Sequence, residues 1–450
     1  MSKSSVRLTE GAIHTVLVRM TVPVAFSLFA HFLFNIVDTI WLGRLGTVAL
    51  AAAGSAGFVV WMILSFARIM PTGVMAMVAQ AIGAGQPGRA RLATTRALLL
   101  SQWVALGTGC LVVWLLPRIF VWMGTAPDVA EAGRAYLGVT VAGLPLMFLG
   151  MAIEGVFRAH GDTHTPMWIL LATLAGNAVL DPFFIFGWGP FPAWGVAGAA
   201  LATVLCRGVG ALVLTVMLVR RRWGVSVGRW LRRRKAYSGD SWVMLRVGMP
   251  GSISDVFFSL VYMVLVRIAT PYGTAPVAAL TVGHRVESLS YLLCVAFGTS
   301  VGAMVGQNLG AREVQRARHS IWMAVLICWL WMVPAVALFL SRPEWITRLF
   351  SSDPVLLVYA GGYLRWVAPS QFFMALEVIL GAAFAGAGRT WLPALVVIPT
   401  TMLRIPMAAW LSGMLGANGV WAAISLCTII TGLGLVAVYR WSGWERGLLA

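Results

Sequence analysis

Two pairs of polar residues stand at helical spacing inside otherwise apolar stretches. Asn35 and Asp38 lie three apart in MTVPVAFSLFAHFLFNIVDTIWLGRLG, residues 20–46. Asn177 and Asp181 lie four apart in GNAVLDPFFIFG, residues 176–187. Residues three or four apart share one face of a helix, so each pair aims a carboxylate and an amide in one direction. The stretch 20–46 is long enough to cross a bilayer, which takes roughly 20 apolar residues at 1.5 Å rise each. A carboxylate at the centre of a membrane helix costs at least ~2.5 kcal/mol on insertion scales, and such groups are kept for ion and substrate pathways. Two desolvated carboxylates brought together favour capture of a proton or a small cation. The competing reading puts Asp38 at the water interface, beside the Gly43-Arg44-Leu45-Gly46 turn. Thr203, which ends GVAGAALAT, adds a hydroxyl amid small residues that permit close helix packing.

These residues belong to a chain of 450 residues, 60% hydrophobic and 11% charged. So little charge cannot cover a soluble protein of this size, and a polytopic membrane protein follows. The net charge of +18 invites a nucleic-acid reading, but the placement of the arginines defeats it. The densest basic run, Arg220-Arg221-Arg222 through Arg229 to Arg232-Arg233-Arg234-Lys235, lies between apolar spans. That is the positive-inside pattern, and anionic lipid is the expected contact. The five cysteines (Cys110, Cys206, Cys294, Cys328, Cys427) are scattered singly through apolar segments, without ligand or disulfide spacing. The polar N-terminus up to Arg19 and the acid in the first span argue against a cleavable signal peptide.

Twelve spans are predicted, at about 14–42, 52–80, 91–117, 134–160, 165–187, 195–219, 242–270, 276–306, 315–340, 356–386, 390–414 and 418–440. Arginines cluster in alternate connections, among them Arg89 and Arg91, Arg158, Arg312 and Arg316, and Arg389, while the loops near 187–195, 270–276 and 414–419 are nearly uncharged. Both termini and the central loop are therefore expected in the cytoplasm, at a bacterial inner (plasma) membrane. The second half repeats the first at an interval of 227 residues. Pro23 matches Pro250, Gln80 matches Gln307, Arg89-Ala90-Arg91 matches Arg316-Ala317-Arg318, and Tyr136-Leu137 matches Tyr363-Leu364. Near the end the interval slips by three, pairing Gly195-Val196 with Gly419-Val420. Six spans separate equivalent positions, so both halves start on the same side. The expected fold is an all-α polytopic membrane protein with twelve transmembrane helices. They form two six-helix bundles related by a pseudo-two-fold along the membrane normal, as in one class of secondary transporters. The expected divisions are an amino-terminal lobe at 1–219 holding the ion site, a basic cytoplasmic linker at 220–241 and a carboxyl-terminal lobe at 242–450.

The repeat also supplies a control. Asp38 maps to Leu265, Asp181 to Ala408 and Asn177 to Arg404. The scaffold was duplicated without its acids, which reads as function rather than architecture. Glu154, Asp255, Glu287, Arg267, Arg285, Arg365 and Arg404 also fall inside spans, and ion pairing is the expectation for most of them. Glu287, which follows His284-Arg285, is placed on the face that would line the site. His160, Asp162 and His164 have a metal-like spacing but sit in a tight turn with Gly161 and Pro166 as breakers, so no metal site is expected. Some of the 21 Met and 21 Trp are expected to line an adaptable cavity, the rest to face lipid or its interface.

The combination of NIVDTIWLGRLGTVALAA, the Gln-x-x-Gly-Ala pairs in QAIGAG and QNLGAR, FRAHGDTHTP, LDPFFIFG and GVAGAALAT resembles the MATE family over nearly the whole chain. These are multidrug and toxic-compound extrusion transporters. The pattern is most similar to the DinF-like branch, because the acids lie in the amino-terminal half. The resemblance implies a cation or proton site at Asp38, Asn177, Asp181 and Thr203, with Pro23 where the first helix bends. Asn35 and Glu287 are added as lining residues. The NorM-like branch carries acids in its seventh and tenth helices. Here Met374 stands in place of the tenth-helix Asp, Asp255 lies a few residues from the expected Glu, and Glu377 aligns with a neighbouring Gln. No carboxyl-lobe sodium site is expected. The implied function is cation-coupled antiport, proton in preference to sodium, exporting amphipathic cationic organic compounds by alternating access. It implies no enzymatic activity, no cofactor beyond the transported ion, drug-like small molecules and membrane lipids as partners, no nucleic acid, and a monomer. The nearest alternative is a lipid-linked precursor flippase, with Arg404 opposite Asn177 as its hint. The more distant one is an integral membrane enzyme, for whose catalytic cluster no loop is large enough.

Overall fold

The computed structural model describes residues 8–123, 125–224, 239–348 and 353–448; most of the 220–241 linker lies outside the described residues. The helices, in order, are α1 (Ile13–Leu45), α2 (Thr47–Ala67), α3 (Ile69–Gly83), α4 (Pro87–Trp122), α5 (Pro127–Ala159), α6 (His164–Phe186) and α7 (Gly195–Arg220). They continue as α8 (Asp240–Ala269), α9 (Thr274–Gly310), α10 (Val314–Ser341), α11 (Pro343–Thr347), α12 (Pro354–Val367), α13 (Gln371–Ala387), α14 (Trp391–Leu415) and α15 (Ala417–Trp441). Among the described residues, eleven spans are long and apolar enough to cross a membrane, with α2 and α3 joined in one of them. The pair α12 and α13, bent by 58° at its break, makes a twelfth. Helices are what a bilayer permits, because they satisfy every backbone polar group within the segment. Proline opens α4, α5 and α12, where its missing N–H is one that no helix could have bonded. Gly187 and Gly388 end α6 and α13 in the left-handed conformation.

The repeat governs where helices begin. The starts of α1 and α8, α2 and α9, α4 and α10, α5 and α12, and α6 and α14 each stand 227 residues apart. Two compact units result. The first takes in residues 22–249, the second residues 8–21 and 250–448 of the described chain. The chain passes from one unit to the other inside α1, between Thr21 and Val22, and inside α8, between Met249 and Pro250. Both passages fall at the repeat-related Pro23 and Pro250, which lie within their helices. Proline has no N–H to offer, so the carbonyls of Arg19 and Arg246 lose their helical partners there. Ser27 and Ser254, again repeat-related, each donate to the proline carbonyl one turn back, at 2.8 and 3.0 Å.

Each unit fastens the helix end that enters it. In the first, Asp240 accepts from Arg89 at 3.0 Å and lies 3.9 Å from Arg96, which is itself buried. In the second, the repeat partner of Arg89 does the equivalent job: Arg316 donates to the carbonyls of Leu8 and Glu10. The cores are built from large apolar side chains, Phe120, Leu137 and Phe148 in the first unit, Tyr363, Leu364 and Trp421 in the second.

Candidate functional site

The apolar run of α6 buries Asn177 and Asp181, at 2% and 0% exposure. Their four-residue spacing stacks them on one face, and Asn177 Nδ2 donates to Asp181 Oδ1 at 3.1 Å. That bond leaves Asn177 Oδ1 and Asp181 Oδ2 buried without a hydrogen-bond partner among the described residues, and Asp38 Oδ1 of α1 is in the same state. Asp38 and Asp181 lie within electrostatic reach of each other, and both of Tyr136 on α5. All three orphaned atoms are acceptors. A buried polar atom without a partner costs about 1–3 kcal/mol, more when charged, so the arrangement calls for a proton or a cation. Thr203 of α7 is half-buried in the same unit. The side chain of Asn35 lies outside the described residues, and Pro23 sits at the passage between units.

One turn beyond Thr203, Arg207 points its guanidinium at His31 of α1, Nη2 to Nε2 at 3.3 Å. A guanidinium can only donate, so Nε2 accepts and the ring proton of His31 resides on Nδ1. Arg207 is also within electrostatic reach of Asp38, Tyr136 and Glu154. Arg207, His31 and Tyr136 are absent from the site expected from sequence. His31 is two turns before Asp38 and Arg207 is four residues after Thr203, so helical spacing carried the signal.

Glu287 belongs to the second unit, on α9, apart from the amino-terminal pairs with which the sequence groups it. It is 8% exposed, and its carboxylate accepts from Tyr363 Oη at 2.8 Å and Gln371 Nε2 at 2.9 Å, with His284 Nδ1 at 3.9 Å. Its oxygens accept from neutral donors on two other helices, and the ion-pair partner within reach is His284, one turn earlier on α9, rather than an arginine. Arg404 also departs from that expectation. Its Nη2 donates to Thr428 at 3.2 Å, its guanidinium lies over Phe258 at 5.6 Å, and Nε and Nη1 are buried with no hydrogen-bond acceptor among the described residues, the buried Glu377 lying within electrostatic reach but not bonded to them. Glu154 with Arg158 at 3.1 Å and Arg365 with Glu344 at 2.7 Å do form ion pairs.

The turn with metal-like spacing has other work. Asp162, fully buried, accepts from the N–H and Oγ1 of Thr165 at 2.9 and 2.7 Å and pairs with Arg221. His160 donates from Nδ1 to the Val156 carbonyl at 2.9 Å and stacks on Trp223, ring centroids 3.9 Å apart. Burial, with the nearby Arg221 guanidinium, pushes the His160 imidazole down from 6.5 to about 4.

A family model described as MatE matches the chain twice, over residues 23–183 and 250–410. The probable multidrug resistance protein NorM of Thermotoga maritima is 28% identical over 447 residues, covering 96% of this chain and 93% of the relative. The FAD transporter of Shewanella oneidensis is 27% identical over 433 residues, covering 95% and 94%. A solved outward-facing multidrug resistance MATE family transporter of the MOP superfamily has a TM-score of 0.89 at 25% identity, over 99% of both chains. A MOP superfamily transporter from Pyrococcus furiosus, described as having a binding pocket of reverse polarity, has a TM-score of 0.88 at 23% identity over 99% of both.

Proposed function

The chain belongs to the MatE family of membrane transporters, and we propose that it is a cation-coupled antiporter of the DinF-like kind, exporting amphipathic organic cations by alternating access. Members of this family are transporters, not enzymes. The observation that carries the coupling site is the set of three buried acceptors, Asp38 Oδ1, Asn177 Oδ1 and Asp181 Oδ2, left without donors in the first unit. A proton is preferred to sodium because Arg207 already places a fixed positive charge within reach of Asp38. A second full cation there meets repulsion, whereas a proton neutralises a carboxylate in place. An inward electrical gradient supplies about 2.3 kcal/mol per charge per 100 mV, and coupling requires only that ion and substrate favour different conformations. Both termini and the Arg-rich connections face the cytoplasm of a bacterial plasma membrane, and the transport-competent form is the monomer.

The test is dye efflux in inverted vesicles, driven separately by imposed pH and sodium gradients. Asp38→Asn and Asp181→Asn should each abolish proton-driven efflux, and the double variant should be little worse, because residues acting as a unit are non-additive. Asp255→Asn should keep most of it. Normal transport by Asp38→Asn together with loss in Asp255→Asn would move the ion site to the second unit and end this reading. A second reading of the substrate rests on Arg404, whose unfilled Nε and Nη1 suit a carboxylate or phosphate group, and on the flavin nucleotide named for the Shewanella relative. Vesicles that accumulate FAD but not cationic dyes would favour it.

A further inference from the structure

A cavity of about 500 Å³ opens where the start of α10 meets the end of α15. Arg318, Arg440, Tyr439, Trp322, Trp444 and Glu445 line it. Its walls are aromatic: Trp322 meets Tyr439 edge-on at 5.7 Å, and Tyr439 stacks on Trp444 at 5.0 Å. Its polar groups are mainly donors. Arg318 is anchored by Glu445, Arg440 is exposed and pairs with no acid among the described residues, and the formal charge of the cavity is one positive. Tyr439 is 7% exposed, and its hydroxyl lies within reach of Arg318 and Trp322, whose N–H groups it can accept from while its own O–H remains to donate.

We propose that this cavity binds the phosphodiester headgroup of an anionic phospholipid. One negative charge balances the site, the two guanidinium groups and the Tyr439 hydroxyl supply donors to its oxygens, and the aromatic walls hold the glycerol end. The lipid is favoured over a soluble phosphate by its surroundings. Trp441, next to Arg440, is 84% exposed, as an aromatic anchor at a membrane interface is. The cradle is also peculiar to this half of the repeat. At the 227-residue interval Arg318 and Trp322 map to Arg91 and Thr95; at the slipped interval Tyr439, Arg440 and Trp444 map to Thr215, Val216 and Arg220. A cradle present in one repeat only is an added feature rather than a by-product of duplication.

The experiment uses the full chain in nanodiscs of phosphatidylcholine with a minor fraction of phosphatidylglycerol, and counts phosphatidylglycerol retained per protein by native mass spectrometry after delipidation. Each surface arginine near an anionic leaflet contributes an affinity factor of about five. Retention should therefore fall about fivefold in Arg440→Gln and further in the double variant with Arg318→Gln, and a few-fold in Tyr439→Phe. Arg91→Gln, the matched charge in the other repeat, should retain lipid as the parent does, and inorganic phosphate should not displace it. Equal retention by the double variant overturns the site. Equal loss in Arg91→Gln reduces it to general surface charge, and displacement by inorganic phosphate makes it a soluble-anion site. Melting curves in detergent establish that the variants compared are folded.

Discussion

At Gly73 the backbone of α3 passes directly against α8. A Cβ at that position would stand 2.2 Å from the Met244 carbonyl oxygen and 2.8 Å from its carbon, and a Cβ at Gly248 would stand 2.1 Å from the carbonyl oxygen of Ile69. Real Cβ contacts do not fall below 3.0 Å, so Gly73→Ala must push the α3 and α8 backbones apart by about 1 Å. Helix propensity favours alanine by up to about 1 kcal/mol. Overpacking costs about 1–3 kcal/mol, and backbone atoms cannot rotate away as a side-chain tip can, so the upper end applies. The net loss is about 2 kcal/mol. The other half of the repeat provides the comparison: Ser300 and Thr21 hold the equivalent positions and share a hydrogen bond of 3.0 Å. Ser300→Ala forfeits that bond, worth about 0.5–1.5 kcal/mol. Thermal unfolding in detergent should therefore rank Gly73→Ala below Ser300→Ala, with Gly248→Ala beside Gly73→Ala. The two glycine substitutions together should cost less than their sum, since either one already opens the crossing. A Gly73→Ala protein that melts with the parent, or above it, refutes the close approach.

Three further outcomes are expected. Asp240→Asn leaves the buried Arg96 facing a neutral partner, and since Arg89 is partly exposed the loss should lie near the lower end of the ~3–5 kcal/mol typical of a broken buried pair; a melting temperature unchanged from the parent would show the pair to be idle. Folded His160 takes its proton at about 4, the unfolded chain at 6.5, so this group's contribution is complete above 6.5 and is lost as pH falls towards 4. His160→Gln should flatten that region of the stability–pH curve, and an unaltered slope would place the pH sensitivity elsewhere. Arg207→Met removes the fixed charge near Asp38, so efflux in vesicles should respond more strongly to a sodium gradient than the parent does; a variant no more responsive to sodium than the parent would leave Arg207 no role in ion choice.

The spans and the repeat were legible because a bilayer leaves little choice: long apolar runs must be helices, and a duplicated chain keeps its register through the loops. The break in the tenth span was legible in principle, since Pro369 lies between α12 and α13, but the continuous apolar run concealed the 58° bend. The Asn177–Asp181 pair could be read from spacing alone, because both members ride one helix. Helical spacing puts His31 on the face of Asp38 and Arg207 on the face of Thr203, but the contact between them could not be read, since they belong to α1 and α7 and meet only in the folded unit. Glu287 shows the same limit from the other side. Sequence put acids and arginines in the same spans and suggested pairing, whereas its oxygens are taken by a tyrosine and a glutamine from α12 and α13.

What duplication kept and what it changed can be seen at one register position. Asn177 and Arg404 are repeat partners, both nearly buried, and the tyrosines Tyr136 and Tyr363 accompany them in their own units. Asn177 leaves an acceptor unfilled, Oδ1, beside a carboxylate with another. Arg404 leaves two donors unfilled, Nε and Nη1. A scaffold that needed a polar plug at this depth would have been served by the same residue twice. Opposite deficits at one position instead ask for partners of opposite charge, a proton or cation in the first unit and an anionic group in the second. Substitutions in the two units therefore test the two demands separately: Asn177→Leu removes one of three unfilled acceptors in the first, and Arg404→Met removes both unfilled donors in the second.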